Sequence, residues 1–247
     1  MSLSFKMRAI GQKYQPFGIG QTNRRVPRRA HNTRASTNTD RYETLLAKTH
    51  NPQVLLCTGP AGTGKTMLAC KHAVNHITNG SFERLIITRP NVSIEEELGF
   101  LPGTMEQKMS PWMIPLYEYL EKFTDRNTVR RQIGEGVIEI LPLGFMRGRT
   151  FDNTIVIADE MQNSTNGQMI NLLTRLGNES KLVLTGDLSQ CDLNKDEVTN
   201  GLHVLIDKYD KYQGKDALGG KISHVEMSRD DIRRSDIVRI IVDMYDI

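Results

Sequence analysis

Cysteine and long apolar runs are scarce in this sequence, and each shortage excludes a class of protein. The three cysteines of the 247 residues lie far apart, at Cys57, Cys70 and Cys191, and form no CxxC pair. Neither a disulfide framework nor a cysteine zinc site is therefore expected. No run of about 18 apolar residues is present that would cross a bilayer, and the first residues lack the apolar core of a secretory signal. We expect a globular protein of the cytoplasm that has no membrane partner.

Acidic residues are absent from positions 1–39, although this stretch carries eight lysines and arginines. The whole chain has 32 basic and 29 acidic residues, so the part from residue 40 onward is acidic and the net charge of +3 hides an asymmetry. The basic stretch shows neither a helical stripe nor a sustained alternation of apolar and polar residues. We therefore expect a basic, extended N-terminal arm over residues 1–39 and one folded domain over residues 40–247.

The folded part has the pattern of an α/β domain. Short runs rich in Val, Ile and Leu alternate with amphipathic stretches, which is typical of repeated βα units around a mostly parallel sheet flanked by helices. The expected strands cover residues 54–58, 85–88, 137–141, 154–158, 182–185 and 224–227. The expected helices cover residues 65–78, 105–123, 166–176 and 228–245.

One segment fits a phosphate-binding loop. Residues 59–66 match GxxxxGK[ST] and directly follow the apolar run 54–58, which gives the motif its strand–loop–helix context. Backbone N–H groups at the start of the next helix favour an anion. We expect Lys65 to reach the β- and γ-phosphates of ATP as a catalytic residue and Thr66 to coordinate Mg²⁺. The residues expected to bind nucleotide are Gly59, Pro60, Ala61, Gly62, Thr63, Gly64, Lys65 and Thr66.

Two further strands end in polar residues that suit hydrolysis. The run 154–158 is followed by Asp159, expected to hold Mg²⁺, and by Glu160, which on an extended chain points to the other side and can polarise an attacking water. The run 182–185 leads into a loop carrying Gln190, an amide suited to sensing the γ-phosphate. Ligands bind at the carboxyl ends of parallel strands, so all three side chains are expected in one crevice.

These motifs resemble those of the PhoH-like proteins, the phosphate-starvation-inducible ATPase family. The resemblance implies a RecA-type P-loop NTPase core, similar to the first motor domain of superfamily 1 helicases, and assembly into a ring, a hexamer. It also implies that an arginine of the same or a neighbouring subunit reaches a γ-phosphate. Arg234 is the candidate for this role and Arg233 the alternative. The matching segments are residues 59–66, 88–90, 98–103, 142–150, 159–163, 173–177, 186–190 and 231–234.

Two features leave the partners of this core open. Helicase-like relatives place a glutamine upstream of the phosphate loop to read adenine, whereas residues 38–42 here contain none. The sequence therefore predicts phosphate binding and leaves selectivity for adenine open. The basic arm, Arg89, Arg147 and Arg149 suggest contact with single-stranded RNA or DNA. The alternatives are that the arm is a solvated tail and that these arginines hold the ATP site or a subunit boundary.

Three functions remain in competition at this stage. The leading one is a Mg²⁺-dependent, ring-forming ATPase that couples hydrolysis to RNA or DNA binding or unwinding. The second is an interaction protein in which nucleotide drives assembly and turnover is incidental. A small-molecule kinase is the third, weakened because Glu160 and Gln190 suit water activation. A short form without added domains would suit a virus or phage, and for such a source we expect the cytoplasm to be that of the host.

Overall fold

A six-stranded parallel sheet forms the centre of the computed structural model, which describes residues 37–90, 105–193, 199–213, 219–232 and 244. The strands lie in the order β3-β2-β4-β5-β1-β6, and every neighbouring pair is parallel. The α/β architecture predicted from the sequence is confirmed. The strands are β1 Val54–Thr58, β2 Arg84–Arg89, β3 Ile138–Pro142, β4 Thr154–Ala158, β5 Lys181–Gly186 and β6 Ile222–Glu226.

Six helices of eight or more residues occur in the described part of the chain. Three of them were predicted, and the others, α1, α4 and α6, were not. Residues 229–231 form only a 3₁₀ turn and Ile232 is extended, so the helix predicted over 228–245 does not begin at 228; its residues from 233 on, Met244 apart, lie outside the described part. The helices are α1 Asn38–Ala47, α2 Lys65–Thr78, α3 Met105–Glu121, α4 Arg126–Gly134, α5 Asn166–Leu173 and α6 Gly201–Gln213.

The sheet is buried on both faces, which explains why its central strands read as continuous apolar runs. Alternate residues of β1 point in opposite directions: Leu55 packs under the helices α1 to α4, and Leu56 packs under α5 and α6. Every residue of β1, β4 and β5 is buried. None of the described helices combines the length and apolar composition needed to span a bilayer.

Helix α1 is fixed at both ends by side chains from distant parts of the chain. Thr37 and Asp40 form a capping box at its N-terminus, and Asp231 accepts hydrogen bonds from the first turn. At the other end the buried Lys181 donates to carbonyl oxygens of the last turn, including that of Leu45 at 2.6 Å. Tyr42 then lies fully buried against the helix of the phosphate loop.

Candidate nucleotide site

The strand order brings the polar segments together at the carboxyl edge of the sheet. Strand β5 lies between β1 and β4, and β2 lies on the other side of β4. The chain therefore leaves these strands side by side. The segments in question start at the strand ends and are residues 59–64, 186–190, 159–160 and 89–90. This is the edge at which ligands bind in open α/β sheets.

The backbone of the phosphate loop depends on its glycines. Gly59 has φ +129°, and a Cβ at this position would lie 2.3 Å from the carbonyl oxygen of Met227. Gly62 and Gly64 also have positive φ, and helix α2 begins directly after Gly64, at Lys65. These conformations are accessible to glycine at little cost, and the loop that they shape leads directly into the N-terminus of α2, where backbone N–H groups favour an anion.

Lys65 is held inside the loop by two carbonyl groups. Its Nζ donates to the carbonyl oxygens of Gly59 at 2.6 Å and Pro60 at 2.9 Å. Burial lowers the pKa of Lys65 below its usual value, opposed by the charges of neighbouring groups. Among the described residues, the hydrogen-bond partners of the ammonium group are therefore backbone oxygens, which a phosphate oxygen can replace.

Asp159 is the point at which four donors meet. Its Oδ1 accepts hydrogen bonds from Thr66 Oγ1 at 2.6 Å and Thr185 Oγ1 at 2.5 Å. Its Oδ2 accepts two hydrogen bonds from Arg89, from Nε at 2.8 Å and from Nη2 at 2.5 Å. The carboxylate is 1% exposed, so these contacts replace its hydration. The phosphate loop and the end of β4 are thus joined directly, by the hydrogen bond from Thr66 to Asp159.

Glu160 does not continue the strand, which corrects the expectation of an extended chain at this position. Its φ of 55° and ψ of 38° lie in the left-handed region, which costs a non-glycine residue about 1–3 kcal/mol. The chain turns here, and the side chain is held by Gln162, whose Nε2 donates to Glu160 Oε2 at 2.7 Å. Position and orientation of this carboxylate therefore come from a turn rather than from strand alternation.

Gln162 is a site residue that the sequence analysis did not single out. It is 2% exposed, and besides its bond to Glu160 its Oε1 accepts the backbone N–H of Asp187 at 3.1 Å. One side chain thus joins the segment after β4 to the segment after β5. The signal available in the sequence was its place two residues after the acidic pair, within a motif shared with the PhoH-like proteins.

Gln190 lies on the 3₁₀ turn Leu188–Gln190 and is exposed. Together with Arg89, Glu160 and Asp192 it lines a polar cleft of about 610 Å³ beside the acidic pair. Arg234 and Arg233 lie outside the described residues. Arg89 contacts Asp159, which fits the alternative in which this arginine belongs to the ATP site.

The donor set at this edge fits magnesium. Hydroxyl and carboxylate oxygens are the ligands that Mg²⁺ prefers, and at nucleotide sites the ion needs only one or two protein side chains besides phosphates. Thr66 and Asp159 supply one of each within hydrogen-bonding distance. Within the described ranges no group of three or more His, Cys, Asp or Glu residues could hold a metal ion by itself.

A family model for PhoH-like proteins matches residues 34–246. This chain belongs to the PhoH-like family. It is 44% identical over 188 residues to a PhoH-like protein of Bacillus subtilis, a match that covers 76% of this chain and 56% of that one. Against a PhoH-like protein of Synechocystis the identity is 39% over 219 residues, covering 89% and 64% of the two chains.

This PhoH-like chain thus spans about half to two thirds of the length of the curated relatives it matches. Among solved structures, the Pif1 helicase from Candida albicans matches with a TM-score of 0.41 and 18% identity, covering 85% of this chain and 42% of that one. The Pyrococcus furiosus Hef helicase domain matches with a TM-score of 0.42 and 12% identity, covering 78% and 39%. These low scores carry no functional assignment.

Proposed function

We propose that this PhoH-like protein binds ATP with Mg²⁺ and hydrolyses it. The observation that carries the proposal is the convergence of Thr66, from the phosphate loop, and Asp159, from the end of β4, at 2.6 Å. Glu160 follows Asp159 directly, and Gln162 fixes it beside the polar cleft. A phosphate cradle, a pair of magnesium ligands and a second carboxylate are the parts that phosphoryl transfer to water requires.

Each residue has a distinct role in this proposal. Lys65 exchanges its two loop carbonyls for oxygens of the β- and γ-phosphates, and Thr66 and Asp159 hold the metal. Bound magnesium would supply charge neutralisation on the phosphates. Glu160 accepts a proton from the attacking water, and Gln190, which lines the same cleft, contacts the γ-phosphate. Adenine is the expected base, and residues 38–42 supply no glutamine to select it.

Assembly into a hexameric ring is a further part of the proposal, supported by membership of the PhoH-like family. An arginine supplied by a neighbouring subunit would make hydrolysis depend on assembly. Arg234 is the candidate for this role and Arg233 the alternative. Mixing Lys65→Ala and Arg234→Ala proteins tests it, because a mixed ring contains some interfaces with an intact loop and an intact arginine. Recovery of turnover on mixing is expected, and its absence would contradict action between subunits.

We also propose that single-stranded RNA or DNA binds along the same edge of the sheet. After β3, the buried Leu143 and Met146 anchor a 3₁₀ turn from which Phe145 projects with 53% of its surface exposed. The adjacent Arg147 is exposed. An accessible ring beside a cation suits base stacking and phosphate contact. Arg149 is less available, since it pairs with Glu139 at 2.9 Å.

The test is ATP hydrolysis by the purified protein with and without single-stranded RNA and DNA, with oligomer mass recorded in each sample. Lys65→Ala and Glu160→Gln are expected to abolish turnover. Lys71→Ala is a matched control on the same helix, since Lys71 pairs with Glu43. Glu179→Gln controls for Glu160, because Glu179 is also a glutamate with positive φ.

The outcomes distinguish the three functions. Turnover that is lost in both site variants and stimulated by nucleic acid supports the proposal, and Phe145→Ala should then reduce the stimulation while leaving basal turnover unchanged. Turnover indifferent to polynucleotide would favour an assembly ATPase. Assembly that needs nucleotide but not hydrolysis would favour the interaction protein, and phosphate transfer to a metabolite would favour a kinase.

A further inference from the structure

The hydrogen bonds of Asp159 leave no free position for a metal ion. An ionised carboxylate offers about four lone-pair sites. At Asp159, two hydroxyl groups occupy Oδ1, and two N–H groups of Arg89 occupy Oδ2. A metal that binds this carboxylate, directly or through its water, must therefore displace at least one donor.

Arg89 is the donor that conflicts most with a metal. Thr66 can keep its O–H directed at Asp159 while a lone pair of its oxygen turns to the ion, since a hydroxyl both donates and accepts. A guanidinium group only donates and keeps its charge, so it repels a divalent cation on the same carboxylate. The side chain of Arg89 is 21% exposed, which gives it a route away from Asp159.

The polar cleft offers the displaced guanidinium a new environment. Arg89 already lines this cleft together with Glu160, Gln190 and Asp192. The proposed γ-phosphate position lies at the same cleft. An arginine released here stays within reach of anionic groups, so the exchange moves a positive charge within the site rather than out of it.

We infer that Arg89 holds the magnesium position of Asp159 until nucleotide binds with its metal, and that the two cations exchange. Arg89 is then a positioning residue at the end of strand β2. It moves when nucleotide binds with its metal and stays in place when nucleotide binds without metal. This inference rests on the proposed function, since it needs a nucleotide site with Asp159 as a metal ligand. It predicts that Arg89 selectively opposes metal-dependent binding.

The experiment compares the Kd of ADP in excess Mg²⁺ and in EDTA for the wild-type protein, Arg89→Ala and Arg89→Lys. In Arg89→Ala the Kd without metal should change less than about threefold, and the Kd with Mg²⁺ should fall about tenfold, as for removal of a competing close charge. Arg89→Lys keeps a cation with fewer donors, so its Kd for ADP with Mg²⁺ should lie between those of the wild type and Arg89→Ala. The control is Arg84→Ala, at the opposite end of β2, where Arg84 faces Glu139 at 3.7 Å.

Two further readouts make the result specific. Thermal unfolding without ligand should show Arg89→Ala less stable than Arg84→Ala, because Asp159 loses its only cationic contact among the described residues. The ¹⁵N signal of Arg89 Nε should shift on addition of Mg²⁺ and ADP together but not of ADP in EDTA. If Arg89→Ala unfolds during purification, Arg89→Lys and the ¹⁵N signal still decide the question.

Several results would overturn the inference. Equal weakening of ADP binding with and without Mg²⁺ would make Arg89 a direct phosphate ligand. An unchanged ratio of the two Kd values in both variants would show that Arg89 and the metal do not compete. A wild-type protein that binds ADP in neither condition would overturn the proposed function together with this inference.

Discussion

Replacement of Gln162 by alanine is the sharpest perturbation of this site that leaves every charged group in place. The side chain is 2% exposed and makes two contacts, one to the Glu160 carboxylate at 2.7 Å and one from the Asp187 N–H at 3.1 Å. Gln162→Ala removes the only described hydrogen bond to the side chain of Glu160. It also leaves a buried backbone N–H without its acceptor.

The magnitudes follow from these two contacts. A hydrogen bond to a charged group contributes about 1.5–3 kcal/mol, and a buried donor left unsatisfied costs about 1–3 kcal/mol. Glu160 also sits in a left-handed conformation that costs about 1–3 kcal/mol. Because loss of its partner lets this turn relax, release of the strain offsets part of the lost stability. We expect a decrease in the melting temperature of about 4–8 °C, for a total loss near 2 kcal/mol in a domain of this size.

The catalytic effect should fall on turnover rather than on binding. The described hydrogen bonds of the Gln162 side chain go to Glu160 and Asp187 and not to the phosphate loop or Asp159, so the Kd of Mg²⁺–ADP should change less than about threefold. Misplacement of the carboxylate that activates water should lower kcat about 10- to 100-fold, the range expected for a mispositioned general base. Steady-state ATP hydrolysis and equilibrium ADP binding measure the two effects separately.

A matched control and a second variant complete the design. Gln168→Ala also removes a glutamine that bonds to the backbone, in the capping box that starts α5, and should cost about 1 kcal/mol of stability without loss of kcat. Gln162→Glu keeps an acceptor for the Asp187 N–H but places a carboxylate beside Glu160, and should lower kcat at least as far as alanine does. Wild-type kcat in Gln162→Ala, or an equal loss in Gln168→Ala, would refute the positioning role.

Three further predictions concern the two ends of α1 and the phosphate loop. Lys181→Met should lower the free energy of unfolding, measured in urea, by about 2–4 kcal/mol, because carbonyls at the end of α1 lose a buried donor. A loss below about 0.5 kcal/mol would contradict the role of Lys181 as a cap of α1. Burial acts to raise the pKa of Asp231, but hydrogen bonds from Ser228 and Thr39 outweigh it and hold the pKa below 3.8. Its contribution to stability is therefore present above about pH 4 and lost as the pH falls through the folded-state pKa, so the difference in unfolding free energy between wild type and Asp231→Asn should shrink as the pH is lowered below about 4. A difference that stays constant over that range would contradict this role of Asp231. Gly59→Ala should weaken ADP binding at least about tenfold, because a Cβ there meets backbone 2.3 Å away and the loop must move; wild-type affinity would show that the loop geometry is not required.

The strands were predictable because burial on both faces gives continuous apolar runs with clear ends. Strands β1 and β4 and helix α2 match the predicted residues fully, and the other four strands differ by one or two residues at their ends. Helix α6 could also have been found, since Leu202, Leu205, Ile206 and Tyr209 follow the i, i+3, i+4, i+7 spacing of an apolar face. That signal was present and was missed.

Two other helices gave weaker signals. Helix α4 buries Val129 alone, so it has no apolar stripe, and only Asp125 as an N-cap marks its start. Helix α1 follows directly after a basic, polar stretch, and the one local sign of its start is the Thr37–Asp40 capping box. Such helices are stabilised by contacts with distant residues, which no local pattern records.

The site was predictable to the level of strand ends and no further. Placement of the phosphate loop and Asp159 at the same edge follows from βα topology, because all strands of a parallel sheet end at one edge. The contacts of Gln162 and Arg89 do not follow from it. They depend on a turn at Glu160 with positive φ and on the register of β2 against β4, which pairs Thr88 with Ala158.

These contacts bear on how the proposed ATPase would use its metal. Lys65 is partnered by loop carbonyls, Asp159 by Arg89 and two hydroxyls, and Glu160 by Gln162. A nucleotide without metal needs to exchange only the partners of Lys65. A nucleotide with metal must also exchange those of Asp159, and that second exchange moves the cation at the end of β2. Binding of the metal would thus displace Arg89 at the end of β2, whereas binding of the phosphates alone would not, because only the metal competes with Arg89 for Asp159.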